Sequence, residues 1–281
     1  MKVATDIEQL KISIQGIEGC FHHVAAKAFF GNGFQISPSM TFDDSLNKVI
    51  TGETDYAVMA IENSIAGSII PNYRMLRKSG LNINGEVSIH IGQHLMALPG
   101  TTFGQITEVQ SHPMALHQCK EFFMEHPSIR LVESPDTAYS AKKIADENLA
   151  GVAAIASDLA ATTYGLSIIE RGIESHKDNY TRFLIISNHE SDMDPNKASI
   201  YFQTPHKSGS LGKVLQTISS YGVNLSKIQS HPVPSKNVLY GFYADLEIDS
   251  NEQLEKVLKA LETETTVMEV LGTYRRGGER D

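Results

Sequence analysis

The sequence predicts an α/β protein made of two unlike parts, and two patterns carry that prediction. Apolar runs of strand length alternate with helical segments over residues 10–188, which implies a mainly parallel sheet. After a polar stretch, residues 198–275 follow the order strand, helix, strand, strand, helix, strand, the ferredoxin-like βαββαβ arrangement. The bulk figures fit: 281 residues exceed one usual domain, and 41% hydrophobic with 20% charged residues is the composition of a globular protein.

In the first part, 11–15 reads as a strand, 16–19 as a turn and 20–30 as a helix. The stretch TFDDSLNKVITGETDYAVMAIENS gives a helix capped by Thr41 or Asp43, a glycine turn, and a buried strand over 56–61. EVSIHIGQHLMAL reads as one continuous strand. Strands at 105–109, 129–132 and 152–156 alternate with helices at 113–125, 136–147 and 157–164, the last closed by Gly165. SNHESDMDPNKAS is a linker. The second part has strands at 199–203, 224–231, 238–247 and 266–273, with helices at 210–220 and 252–261. The charged tail YRRGGERD reads as frayed.

A formal charge of −9 and a pI of about 5.7 argue against nucleic acid and anionic membrane as partners. Any anionic ligand then needs a local positive site. Cys20 and Cys119 form no CxxC pair, which argues against a thiol redox or metal motif. No apolar run reaches the ~18 residues of a membrane helix, and the first residues carry no signal-peptide core, so a cytoplasmic protein is expected.

Several stretches place polar groups where an open α/β sheet binds ligands, beyond the carboxyl ends of its strands. In AIENSIAGSI, Asn63 and Ser64 come directly after a buried strand; they either hydrogen-bond a ligand or cap the next helix. Glu62 is a general acid if buried and protonated, or otherwise structural. In VQSHPMALHQC, Ser111 and His112 precede a helix opened by Pro113, which makes either a carboxylate site or a Ser cap with an exposed His. QGIEGCFHHVAA lacks both GxGxxG and the P-loop lysine, so its glycines serve close backbone approach to a small anion. His90 and His94 are four apart, but in a strand and without a third ligand, which favours core or cleft histidines over metal. Finally, DNYTRFLII sets Arg182 against an apolar run with no neighbouring acid. Either a distant carboxylate pairs it, or an anionic ligand does.

Taken together, GIEGCFHHVAA, AVMAIENSIAGSI, SHPMALHQC, DTAYSA, AAIASDLAATTYGL and NYTRF closely resemble prephenate dehydratase in order and spacing. The likeness spans nearly the whole chain, because the βαββαβ unit resembles the ACT regulatory domain that comes after the catalytic domain in that family. TRF and IENS are its most specific parts. The resemblance implies a two-lobed catalytic domain like a periplasmic binding protein, with its site in the cleft. It implies conversion of prephenate to phenylpyruvate without metal or redox cofactor. It makes Thr181 the catalytic residue and places Arg182, Phe183, Asn63, Ser64, Ser111 and His112 around the substrate. On that basis Arg182 is expected to grip a carboxylate of dianionic prephenate.

The resemblance further implies feedback by L-phenylalanine at Gly209, Ser210, Leu211, Asn224, Leu225 and Ser230, and a homodimer or homotetramer. Some positions depart from the family pattern. Gly-x-x-Gly-Thr-Phe-Ser is here Gly16-Ile17-Glu18-Gly19-Cys20-Phe21-His22, so both hydroxyls are absent. In the ACT part, Gly-Ala-Leu is Gly209-Ser210-Leu211, and Glu-Ser-Arg-Pro is Gln229-Ser230-His231-Pro232. Arogenate dehydratase is the near alternative, and a non-catalytic amino-acid sensor the distant one. Retention of a hydroxyl at Thr181 speaks against the sensor.

Overall fold

A computed structural model describes residues 9–191, 193–233 and 239–280. The N-terminal residues 1–8, Val238 as the start of a strand, Asp192 of the linker and Asp281 of the tail lie outside the described residues.

Three sheets organise the described residues. The first contains β1 (Lys11–Gln15), β2 (Gln35–Ser39), β3 (Tyr56–Asn63), the short β4 (Gly67–Ser68), β5 (Asn82–His90), β11 (Tyr180–Ser187) and β16 (Glu279–Arg280). Its order is β16-β5-β11-β3-β1-β2, with β4 on β3. The second contains β6 (His94–Ala97), β7 (Glu108–Ser111), β8 (Arg130–Glu133), β9 (Val152–Ala156) and β10 (Ser167–Glu170) in the order β10-β6-β9-β7-β8. The third is antiparallel, β13-β14-β12-β15, from β12 (Lys197–Gln203), β13 (Asn224–Val233), β14 (Leu239–Glu247) and β15 (Val267–Tyr274).

The chain crosses between the first two sheets twice, after β5 and again before β11. EVSIHIGQHLMAL is therefore not one strand. Its apolar alternation continues through Ile91, but the chain changes sheets between His90 and His94. Helices α1 (Phe21–Phe30), α2 (Phe42–Ile50) and α3 (Ile70–Ser79) belong to the first lobe. The second lobe has α4 (Pro113–Gln118), α5 (Lys120–Met124), α6 (Thr137–Asp146) and α7 (Asp158–Tyr164). The expected helix over 113–125 breaks in two at Cys119. Thr41 caps α2, accepting from the Asp44 amide at 3.1 Å.

Helices α8 (Ser210–Ser220) and α9 (Asn251–Leu261) cover one face of the third sheet through Val214, Ile218, Leu254 and Val257. Its other face does not meet water. Tyr201, Tyr243, Leu271 and Tyr274 share one buried cluster with Tyr73, Leu76, Ile83, Leu184 and Ile186 of the first lobe. The tail is not frayed over its described length: β16 pairs in parallel with β5 at Ser88 and Ile89.

Candidate active site

The carboxyl ends of β1 and β3 and the start of β11 meet at the edge of the first lobe, where the second lobe faces them. Thr181 lies there, opposite Asn63 in the β11–β3 ladder. The Asn63 amide nitrogen donates to Thr181 Oγ1 at 2.9 Å and to Asn179 Oδ1 at 2.7 Å. The other end of that amide accepts from the Ile65 and Ala66 amides at 3.0 and 2.9 Å. Two backbone donors thus fix which way Asn63 points, and the nitrogen faces the threonine. With its oxygen occupied as an acceptor, the Thr181 hydroxyl keeps its own proton for donation. Ser64 closes the corner, donating from its hydroxyl to the Asp178 carbonyl and accepting from the Tyr180 amide.

Asn179 was not singled out by the sequence. It stands two residues before Thr181, just ahead of β11, and its Oδ1 accepts from the Asn63 amide. Its Nδ2 is buried and has no hydrogen-bond partner in the described structure.

Arg182 departs from expectation. Successive strand side chains point to opposite faces, so Arg182 turns away from the face that carries Thr181. Its guanidinium meets Glu86 at 2.7 Å, Asp245 at 2.6 Å and Glu62 at 3.5 Å, and donates to the Tyr274 hydroxyl at 3.2 Å. Distant carboxylates of the fold pair this arginine. Burial works against its charge, but Tyr274, Asp245 and Glu86 more than reverse that and hold it protonated. Glu62 is likewise structural, with Lys227 at 2.5 Å.

Phe183 is also withdrawn, being 1% exposed and seated edge-on to the His22 ring in the core. In the second lobe, the buried Ser111 hydroxyl donates to the Ile155 carbonyl at 2.7 Å and ties β7 to β9. His112, not Ser111, caps α4, its Nδ1 accepting from the Met114 amide at 3.2 Å.

The altered first loop sits between the lobes. Ser157 donates to the Gly19 carbonyl at 2.6 Å, and Tyr164 to the Glu18 carbonyl at 2.7 Å. Gly19 has a positive φ of 85°, and a Cβ there would strike the backbone of Ala160, so only glycine fits. Burial, together with the Asp136 charge, pushes the Cys20 thiol up to about 12, leaving it unreactive. Burial lowers His22 to about 4; its neutral Nε2 accepts from the Ala60 amide at 3.4 Å. Asp136, which the sequence showed only as a helix start, caps α6 and faces this loop. Burial raises its carboxyl above the ordinary value.

His90 and His94 serve the crossing segments. His90 Nε2 meets the Lys177 carbonyl at 2.6 Å, while His94 accepts from the Gly172 amide at 3.0 Å and lies 3.1 Å from Asp158.

A family model described as prephenate dehydratase matches residues 12–191. The chain belongs to the prephenate dehydratase family. A second model, described as an ACT domain, matches residues 196–271. A bifunctional chorismate mutase/prephenate dehydratase of Aquifex aeolicus is 36% identical over 272 residues, covering 95% of this chain and 74% of that protein. An arogenate dehydratase/prephenate dehydratase of Arabidopsis thaliana is 35% identical over 279 residues, covering 95% and 73%. Among solved structures, the prephenate dehydratase of Arthrobacter aurescens in complex with L-Phe has a TM-score of 0.84 at 26% identity, over 95% of this chain and 90% of that one. A structure described as GqqA, a quorum quenching acylase, has a TM-score of 0.84 at 28% identity, over 94% and 97%. The expected fold class, a two-lobed periplasmic-binding-protein-like domain with an ACT domain after it, is borne out, and so is the expected enzyme family. No helix among the described residues is long and apolar enough to cross a membrane.

In the ACT domain, Gly209 caps α8 with a positive φ of 84°. A cavity of about 370 Å³ opens there, lined by Gly209, Ser210, Leu211, Tyr240 and Phe242 among others. Ser230 pairs with Phe242 beside it. Asn224 does not join them within one chain. It holds Glu247 at 2.8 Å, six residues along β13 from Ser230, or about 20 Å at the rise of a strand. Leu225 packs against the helix-side core.

Proposed function

We propose that this chain converts prephenate to phenylpyruvate, with Thr181 as the proton donor to the departing ring hydroxyl. The observation that carries this is the Asn63 amide, which occupies the threonine oxygen and leaves its proton free. In the reaction, the bond from the ring to its carboxylate breaks and releases carbon dioxide. That electron pair completes the aromatic ring and expels the hydroxyl, which takes the Thr181 proton and leaves as water; solvent returns the proton. Aromatisation drives the step, so orientation, one aimed hydrogen bond and a dry cleft suffice. Thr181 is 8% exposed, which suits the last requirement.

With Arg182 turned away and the Ser64 hydroxyl proton already given to the Asp178 carbonyl, the substrate carboxylates fall to His112 and the first-turn N–H groups of α1, whose cap residue Cys20 makes no side-chain cap. The likeness to an acylase does not alter this reading. Amide hydrolysis by Thr181 needs a base, and the partner of its oxygen is an amide donor.

L-phenylalanine is proposed as the effector, in the cavity beside Gly209. β13 is an edge strand, and Ile228 on it is 41% exposed. Antiparallel pairing of two copies along β13 brings Asn224 and Leu225 of one to Ser230 and Gly209 of the other, which supports a homo-oligomer. The test is phenylpyruvate formation by the purified chain from prephenate and, separately, from arogenate. Turnover of prephenate is expected. Absence of turnover with either substrate, combined with tight phenylalanine binding, contradicts the enzymatic reading and leaves a sensor.

A further inference from the structure

Thr181 sits beside an irregularity in its sheet. Against β3, the register shifts between Arg182 and Phe183, where Ile61 of β3 is the extra residue, so a bulge in β3 lies next to the pair that Thr181 makes with Asn63. On the face opposite Thr181 this end is anchored by Arg182, and one of its three carboxylates is Asp245 of the ACT domain. Asp245 is 2% exposed and held in turn by the Ser199 hydroxyl at 2.6 Å, with Lys197 at 3.7 Å. Lys197 also grips both Glu86 oxygens at 2.9 Å, so two ACT residues hold the group that tethers β11. The strand that carries Asp245 is β14. Its opposite face presents Phe242 to the effector cavity.

We propose that Asp245 is a positioning residue for the reaction. Acting through Arg182, it holds the start of β11, beside the bulge in β3, where Thr181 meets the substrate. Resting on the proposed effector reading, the same contact carries the regulatory signal: a ligand that shifts Phe242 shifts β14, and with it Asp245.

The test uses the full chain with Asp245→Asn, which keeps shape and an acceptor for Ser199 but removes the charge. Misplacement of a catalytic group by about 1 Å costs up to about 100-fold, so kcat is expected to fall about 10- to 100-fold with KM for prephenate little changed. Introduced into Thr181→Ser, the same change is expected to cost much less, because both act on one hydroxyl. Ser199→Ala, which loosens Asp245 without removing it, is expected to show a smaller loss of the same kind, and decides the matter if Asp245→Asn fails to fold. An unchanged kcat, or losses that simply multiply, overturns the positioning role. Calorimetry of L-phenylalanine separates the regulatory clause. Asp245→Asn is expected to bind the effector but to respond to it several-fold less than wild type. An undiminished response overturns the clause. A wild type that binds no phenylalanine overturns the effector reading itself, and the kcat comparison still judges the positioning.

Discussion

A threonine hydroxyl is a weak acid, and what Asn63 supplies is direction. Removing that donor in Asn63→Ala frees the Thr181 hydroxyl to turn inward toward the Tyr180 carbonyl, and kcat for prephenate is expected to fall about 10- to 100-fold with the protein still folded. Retention of full kcat contradicts the orienting role. Arg182→Lys keeps the charge but loses the planar fork that reaches three carboxylates. The expected result is a melting temperature several degrees lower and an unchanged KM for prephenate. A KM raised tenfold or more at unchanged stability returns Arg182 to the substrate; such a rise corresponds to about 1.4 kcal/mol of lost binding. At this scale the end of a buried apolar run pointed to Asn63 and Ser64, whereas Thr181 came from the resemblance of its TRF triplet to the family. The sequence did not show the partners of Arg182. Glu86 lies on a neighbouring strand and Asp245 in another domain, and such long separations along the chain leave no local pattern. It also did not show that Ser111 and Phe183 are buried behind the cleft, because both are compatible with either face until the register is known.

Helix α1 shows what the altered first loop does to pH dependence. His22 is neutral in the fold, lowered from 6.5 to about 4 by burial. The unfolded chain takes up this proton near 6.5 and the folded chain only near 4. Stability from this group is therefore full above 6.5 and lost as pH falls from 6.5 toward 4. His22→Gln keeps an acceptor for the Ala60 amide but cannot titrate. Its melting temperature is expected to fall less steeply than wild type over that window, measured from about pH 7 to about pH 5. Parallel curves contradict the account; His23, lowered for the same reason, leaves a residual slope in both. Element boundaries were legible where turn chemistry marked them, as at Thr41 and Gly165, and illegible where apolar alternation ran across a change of sheet, as at His90 to His94. The β15–β5 approach was also hidden, since Gly272 carries no pattern of its own. A Cβ at Gly272 would collide with Ile83. Gly272→Val is expected to destabilise the fold by about 1–3 kcal/mol, as overpacking does, read by chemical denaturation. An unchanged midpoint places the two strands further apart than described.

Across the whole molecule, the ACT domain is more than a tethered sensor, because its second sheet face completes the core of the first lobe. A chain ending after residue 196 loses Tyr201, Tyr243, Leu271 and Tyr274 from that core and Asp245 and Lys197 from Arg182 and Glu86. It is expected to melt well below the full chain and to bind an apolar-surface dye. A fragment as stable as the full chain would show that the shared core contributes nothing. The βαββαβ order was legible, but not which face of its sheet was covered, since a sheet of tyrosines suits either water or a partner. The central claim remains that the proton leaving with the ring hydroxyl comes from Thr181. Its most direct test is the kcat of Thr181→Val, which keeps the shape and removes the hydroxyl, in phenylpyruvate formation from prephenate. Loss of one such hydrogen bond predicts a kcat lower by about 100- to 1000-fold with the fold intact. A variant that keeps more than about a third of wild-type kcat, where one aimed donor should matter about a hundredfold, contradicts the account.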